Sequence, residues 1–379
     1  MDGASQSPVA TRDRLRDLAG VGLPADVRPI EHLRQVIDGL RPSWGTRRPL
    51  LLTHKSPDPD ALGALAGLDR LLRSAFDLEP DIATSGRIYR AENQTMVREL
   101  GLEFLDYDQM DFSNSAGVFL VDTQPGFGHT SLPEDVPVVA VFDHHEPPSV
   151  ETVSSRPPVP HYDLRLGVGA TSAMIYEYLR DAEVELDPPT ATALSCGVRF
   201  DTADLSLDVT PLDSEAYYEA FRYADRRMLA RIARPELPAS YYKELHRSLT
   251  RARSHGPLVF GLMGRVTNPE SVAEMADFFL RMEGCRWSFV GGAFGETYHL
   301  SVRTDLSYSD GYSLLEAIVE GEGSFGGRGP VAGGQIPLTS SDDASLQQLE
   351  RKLRARALKL VQEDGGTDPR NDTRLTRLP

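Results

Sequence analysis

Two hydrophobic rhythms alternate along the first half of the chain. Apolar runs at 50–53, 117–121 and 138–142, with a weaker one at 80–84, read as buried strands. Between and after them, at 60–76, 91–100, 169–180 and 190–198, apolar residues recur at three- and four-residue spacing and predict helices. Strand and helix in alternation predict an α/β fold, with a mostly parallel sheet covered by helices on both faces. Ahead of it, Leu15 and Leu18, then Ile30, Leu33, Val36, Ile37 and Leu40, fall at helical spacing and predict one or two helices packed on this domain.

The rhythm changes after Pro211. Tyr217, Phe221 and Leu229, then Tyr241, Leu245 and Leu249, give helical faces broken by Arg234-Pro235 and Leu237-Pro238. A second small α/β pattern follows, with strands at 258–263, 287–293, 298–303 and 335–338 and helices at 271–282 and 313–319. A glycine-dense loop precedes its last strand, and 342–362 is amphipathic. The expected organisation is a helical extension (1–46), an α/β domain (47–210), a helical linker (211–254), a smaller α/β domain (255–340), and a C-terminal helix with a polar tail (341–379).

Composition narrows the partners. The 379 residues are 40% hydrophobic, enough for packed cores. Net charge is −16, from 40 basic against 56 acidic residues, which argues against coating long duplex DNA through a broad basic face. A small anion held at one local basic site remains compatible. Cys196 and Cys285 lie in apolar segments without paired spacing, so free thiols in a reducing cytoplasm are expected. No segment has the pattern of a signal peptide or membrane span, so a cytoplasmic protein without membrane partners is expected.

The run at 50–53 stops at His54-Lys55-Ser56-Pro57-Asp58-Pro59-Asp60, which spaces one imidazole and two carboxylates on a proline-stiffened turn into a helix. The plain alternative is a helix cap and a turn. Two further strands also end in polar residues, at Asp122-Thr123-Gln124 and at Asp143-His144-His145, and a helix breaks at Asp201-Thr202. In open α/β sheets the carboxyl ends of strands converge on ligands. Asp58, Asp60, Asp122 and Asp201 gathered at one edge would repel unless cations balanced them. Two divalent ions do so, and imidazole with carboxylate suits Mn²⁺ first, with Mg²⁺, Co²⁺ or Zn²⁺ as alternatives.

Together these four motifs resemble the successive motifs of the DHH phosphoesterase superfamily, and Gly169-Ala170-Thr171-Ser172 resembles its helix-opening motif. The resemblance implies one metal on His54, Asp58 and Asp122. It implies a second on Asp60, Asp122, His144 and Asp201, with Asp122 as the bridge. Asp143 would fix histidine orientation, and His145 would face the substrate phosphate. The smaller domain resembles the C-terminal substrate-binding domain associated with RecJ-like and NrnA-like enzymes. Their glycine loop reads Gly-Gly-His-x-x-Ala-Ala-Gly; here Gly326 and Gly327 are followed by Arg328 where the histidine is expected. Arginine still binds phosphate but cannot serve as an acid or base near neutral pH. Arg303 falls at a position that reaches the nucleotide in the family.

The function this implies is two-metal hydrolysis of short oligonucleotides or pAp-like nucleotide phosphates, by a monomer or homodimer. Cyclic or linear dinucleotide phosphodiesterase activity is the alternative within the same chemistry. Inorganic pyrophosphatases and exopolyphosphatases use a different C-terminal domain, and the glycine loop at 326–334 argues against them. A nucleotide-sensing module without turnover is the alternative of another class.

Overall fold

The structure, a computed structural model, describes residues 23, 26–133, 136–147, 158–207, 209–305, 310–340, 342–363 and 373–374. These fall into two compact units that divide between Pro235 and Glu236. The apolar positions Leu15 and Leu18 lie outside the described residues, as does most of the polar tail beyond 363.

Unit 1 begins with α1 (Pro29–Trp44) and is built on one six-stranded, wholly parallel sheet. The strands are β1 (Arg48–Thr53), β2 (Asp81–Thr84), β3 (Phe104–Asp106), β4 (Ser115–Val121), β5 (Val138–Asp143) and β6 (His161–Leu164), in the order β3-β2-β1-β4-β5-β6. The crossovers carry α2 (Pro59–Phe76) and α3 (Ala91–Leu100); after β6 come α4 (Thr171–Asp181) and α5 (Pro188–Asp201). Successive side chains of a strand face opposite sides. Leu51, Phe119, Val121, Ala140 and Phe142 therefore join one core with residues of α2 and α4, while Leu50, Leu52, Val118, Leu120 and Val141 fill the other face. Burial on both faces explains why β1, β4 and β5 read as unbroken apolar runs. Truncating one of these leucines to alanine costs about 2–5 kcal/mol.

The pattern of apolar positions does not reveal β3 and β6. β3 is three residues long and largely accessible, and β6 is His161-Tyr162-Asp163-Leu164, a polar run buried by its hydrogen bonds. His161 Nε2 lies 2.8 Å from the Tyr178 hydroxyl, which donates to Asp163, and Arg165 closes on the same carboxylate at 2.8 Å. Helices α6 (Pro211–Tyr223) and α7 (Arg226–Ala233) complete unit 1, with α6 packed on α5 and α4.

Unit 2 opens with α8 (Ala239–Arg251). Its seven-stranded sheet runs β11-β12-β10-β9-β8-β7-β13, made from β7 (Arg253–His255), β8 (Leu258–Arg265), β9 (Trp287–Phe294), β10 (Thr297–Thr304), β11 (Ser324–Arg328), β12 (Val331–Pro337) and β13 (Thr373–Arg374). Among the described residues, only β8 and β9 pair in parallel. Helices α9 (Glu270–Leu280), α10 (Gly311–Val319) and α11 (Asp343–Glu363) pack against it. The glycine-dense stretch corrects the sequence expectation: it is not an open loop before a strand at 335–338 but a hairpin, with β11 paired to β12. Glycine is a poor strand former, which hides the pattern. Phe325, Ala332 and Ile336 nonetheless pack into the unit 2 core. Gly327 has a φ of 153°, and a Cβ there would lie 2.3 Å from the Val331 carbonyl oxygen, so only glycine fits. Among the described residues, no helix is long and apolar enough to cross a membrane.

Candidate metal centre

In unit 1 the strand order reverses between β1 and β4, and ligands of such sheets bind beyond the carboxyl ends at that point. His54 follows β1 and Asp122 follows β4, so they flank the reversal; Asp143, His144 and His145 close or follow β5 one strand further on. Asp58 is the N-cap of α2, its Oδ1 accepting from the Asp60 and Ala61 amides at 3.0 Å. The helix-cap alternative is therefore correct as a local description, and the same carboxylate also faces the site. Buried Asn93 of α3 donates to the Pro57 carbonyl at 2.9 Å and ties the Pro-Asp turn down. The backbone of Asp122 is left-handed (φ 56°), a conformation Asp tolerates better than most residues. Just past Asp201, which ends α5, Ala203, Asp204 and Leu205 are also left-handed. Strained backbone of this kind clusters at functional sites.

Ligand-type atoms of His54, Asp58 and Asp122 lie within 4.8 Å of one another; so do those of Asp60, His144 and Asp201, and those of Asp122, His144 and His145. His54 Nε2 is 3.7 Å from Asp122 Oδ2, and His144 Nε2 is 3.2 Å from Asp201 Oδ2 and 3.8 Å from Asp122 Oδ1. Asp60 is fully buried and receives the Thr171 and Ser172 amides of α4 at 2.6 and 2.8 Å. Gly197 makes room for this approach, since a Cβ there would sit 2.0 Å from Ser172 Oγ. The helix-opening motif at 169–172 thus binds a carboxylate of the protein itself. Thr171 Oγ1 also donates to Asp122 Oδ1 at 2.8 Å.

The donor set fits divalent cations. Asp122 Oδ2 and His144 Nε2 are buried without a hydrogen-bond partner among the described residues, an expensive state unless another ligand is met. His144 Nδ1 lies 3.0 Å from the Val168 carbonyl, which fixes that nitrogen as the donor and leaves the Nε2 lone pair toward the acids. Asp143 Oδ1 accepts from the His144 and His145 amides and from His145 Nδ1 at 2.8 Å, so it is His145 whose ring Asp143 orients.

The pocket raises its histidines and two of its acids together, as crowded buried carboxylates dictate. Burial, then Asp201 and Asp122, push Asp58 up to about 7. Burial, then the same two carboxylates, hold Asp60 well above the carboxylate range. Burial opposes the charging of the histidines, but Asp201 and Asp122 hold His144 well above its ordinary value, and Asp143 and Asp122 raise His145 to about 9. His54 is raised by Asp122 and Asp58 against its burial. Asp122, which burial alone would raise, is held below the carboxylate range by His54, His145 and His144.

The substrate-side candidates of unit 2 are described by themselves. Arg303 on β10 is mostly buried, its Nε donating to Asp277 and its Nη1 to Ser301 Oγ, both at 2.6 Å. Gly326 and Gly327 lie on β11, and the Arg328 backbone pairs with Val331 next to the hairpin turn. Missed in the sequence were Phe127 and His129, on the loop after Asp122. Their rings stack with centroids 5.1 Å apart; His129 meets His54 edge-on at 5.5 Å and Phe127 meets His145 at 6.3 Å. Partial desolvation of the ring against its neighbours, then His54 and His145, lower His129 to about 4, although the residue as a whole is exposed. A lone His and Phe among glycine and proline gave no periodic signal.

A profile described as "DHH family, N-terminal domain" matches residues 49–198. An uncharacterized protein of Methanocaldococcus jannaschii is 31% identical over 322 residues, covering 82% of this chain and 64% of that one. A probable manganese-dependent inorganic pyrophosphatase of Streptococcus equi is 24% identical over 173 residues, covering 42% of this chain and 50% of its own. The chain thus spans less than two thirds of the curated relatives it matches. An exopolyphosphatase-related protein of Bacteroides fragilis shares the fold, with a TM-score of 0.66 at 14% identity over 89% of this chain and 99% of that one.

Proposed function

We propose that this chain, whose residues 49–198 match the DHH family N-terminal domain, is a two-metal phosphoester hydrolase of short oligonucleotides or pAp-like nucleotide phosphates. The observation that carries this is the overlap of donor groups around Asp122, with His54 and Asp58 on one side and His144 on the other. His54, Asp58 and Asp122 would hold one ion, and Asp60, Asp122, His144 and Asp201 the other. Nitrogen and oxygen donors without thiolate favour Mn²⁺, with Mg²⁺, Co²⁺ or Zn²⁺ as weaker fits. When bound, the ions supply Lewis acidity toward the phosphoryl group and acidify the attacking water.

The chain's own residues do the rest. Val168 and Asp143 hold the two histidine rings in fixed orientations before substrate arrives. With Nδ1 held by Asp143, His145 presents Nε2 on the open side of its ring as a donor to a phosphate oxygen. In unit 2, we assign Gly326, Gly327 and Arg328 to phosphate binding, with the arginine as a permanent charge. Arg303 supports the neighbouring strand and is the weaker contact, because Asp277 and Ser301 already occupy it.

Inorganic pyrophosphate is the second substrate to weigh, because the streptococcal relatives are probable pyrophosphatases. A product assay with Mn²⁺ across pAp, linear dinucleotides, cyclic dinucleotides and pyrophosphate separates these. Turnover of the nucleotide substrates is expected, and turnover of pyrophosphate alone contradicts the nucleotide assignment. No turnover of any of them by metal-loaded protein would leave nucleotide sensing as the function.

A further inference from the structure

The loop that leaves Asp122 does not turn straight back to the sheet. It runs out through Gln124 to Thr130 and places two aromatic rings at the candidate metal centre. His129 is exposed and Phe127 half-buried, and the two stack at an interplanar angle of 25°. His129 stands edge-on to His54 and Phe127 edge-on to His145, so the pair spans the two histidines that border the site from separate strands.

This ledge is built into the fold. The Lys55 amide donates to the His129 carbonyl at 2.9 Å, which ties the loop to the turn after β1. The Thr130 amide donates to the Phe127 carbonyl at 3.0 Å, and the Thr123 and Thr130 hydroxyls bond across the base of the loop. Gln124 is fully buried, its Nε2 donating to the His145 carbonyl at 2.7 Å and its Oε1 accepting from the Tyr162 hydroxyl. Five hydrogen bonds thus hold a partly exposed aromatic pair that no core requires. A pyrophosphate anion has no use for such a surface, whereas a planar base gains from it: stacking on aromatic side chains contributes about 1–3 kcal/mol per base.

Building on the phosphoesterase function proposed above, we infer that Phe127 and His129 form the stacking platform for the nucleobase next to the scissile phosphate, and so determine specificity for nucleotides over inorganic polyphosphates. His129 acts here through its ring face, so phenylalanine is able to replace it.

The test compares kcat/KM for the linear dinucleotide pApA with that for pyrophosphate, using the Mn²⁺-loaded full chain. Phe127→Ala and His129→Ala are expected to lower the pApA-to-pyrophosphate ratio about 10- to 100-fold, and His129→Phe and Phe127→Trp to restore most of it. A ratio within twofold of wild type in both alanine variants, or His129→Phe as impaired as His129→Ala, overturns the inference. A wild type that hydrolyses none of pAp, linear dinucleotides, cyclic dinucleotides and pyrophosphate ends the phosphoesterase function instead. The platform is then decided by a dinucleotide carrying 2-aminopurine: its fluorescence is quenched on binding to wild type and recovers in the alanine variants, and equal quenching in all of them overturns the platform.

Discussion

In the parallel sheet of unit 1, side chains carry the candidate chemistry: carboxylates and imidazoles from the ends of β1, β4, β5 and α5 gather within a few ångströms, several of them fully buried. In the mixed sheet of unit 2 the candidate contacts are backbone and arginine on a hairpin, and Arg303 on the adjoining β10 is already bonded to its own unit. The parallel sheet concentrates ligands because every strand end points the same way, and a reversal in strand order opens a gap between two of them. An antiparallel hairpin offers a run of amides and small residues. On the proposed function the first arrangement dictates bond type, and the second adds few, replaceable contacts to the substrate.

This contrast can be broken experimentally, beginning where the effect is largest. Asp122→Ala removes the residue shared between the donor groups, and phosphoester turnover should drop to background; retained activity dismantles the shared-ligand account. Asp143→Ala should lower kcat about 10- to 100-fold, because it frees the His145 ring. Rates within twofold of wild type would remove Asp143 from the site. In unit 2, Arg328→Ala should raise KM about tenfold with a smaller change in kcat, as loss of about 1.4 kcal/mol of binding dictates. An unchanged KM takes the hairpin out of substrate recognition.

The pH dependence of stability sharpens the same comparison with a smaller signal. His145, His144 and His54 bind protons more tightly folded than unfolded. Their stabilisation is complete below pH 6.5 and is lost as pH rises toward 9. The raised acid Asp58 acts in the same direction between pH 4 and 7. In unit 2, His299 is shifted downward by burial and loses its share only below pH 6.5. Metal-stripped protein should therefore melt at least about 4 °C lower at pH 9 than at pH 6.5. Mn²⁺ should shrink or reverse that difference, because deprotonated ligands bind the ion. A Tm independent of pH in this window without metal contradicts the anionic pocket. Smallest of all, Arg303→Ala should cost about 1 kcal/mol by stranding Ser301 and Asp277. If it changes KM and leaves Tm alone, Arg303 belongs with the substrate contacts.

What was legible in the sequence follows the same division. The three long strands and the helices of unit 1 showed themselves because burial on both faces demands apolar runs, and the residues that end those runs were conspicuous for their charge. β6 was hidden because its burial rests on the Tyr178–Asp163–Arg165 network, and the β11–β12 hairpin because glycine carries no periodicity. Within the site, ligand types and spacing were readable. The supports were not: the Val168 carbonyl, the Thr171 hydroxyl and Asn93 each act through geometry that only the folded chain supplies. Phe127 and His129 escaped for the same reason.

The central claim, two ions held around one shared carboxylate, is tested most directly by equilibrium Mn²⁺ binding to metal-stripped full-length chain. Wild type should take up two ions per chain, and Asp122→Ala at most one, at greatly reduced affinity. Uptake of a single ion by wild type, or of two by Asp122→Ala, would contradict it.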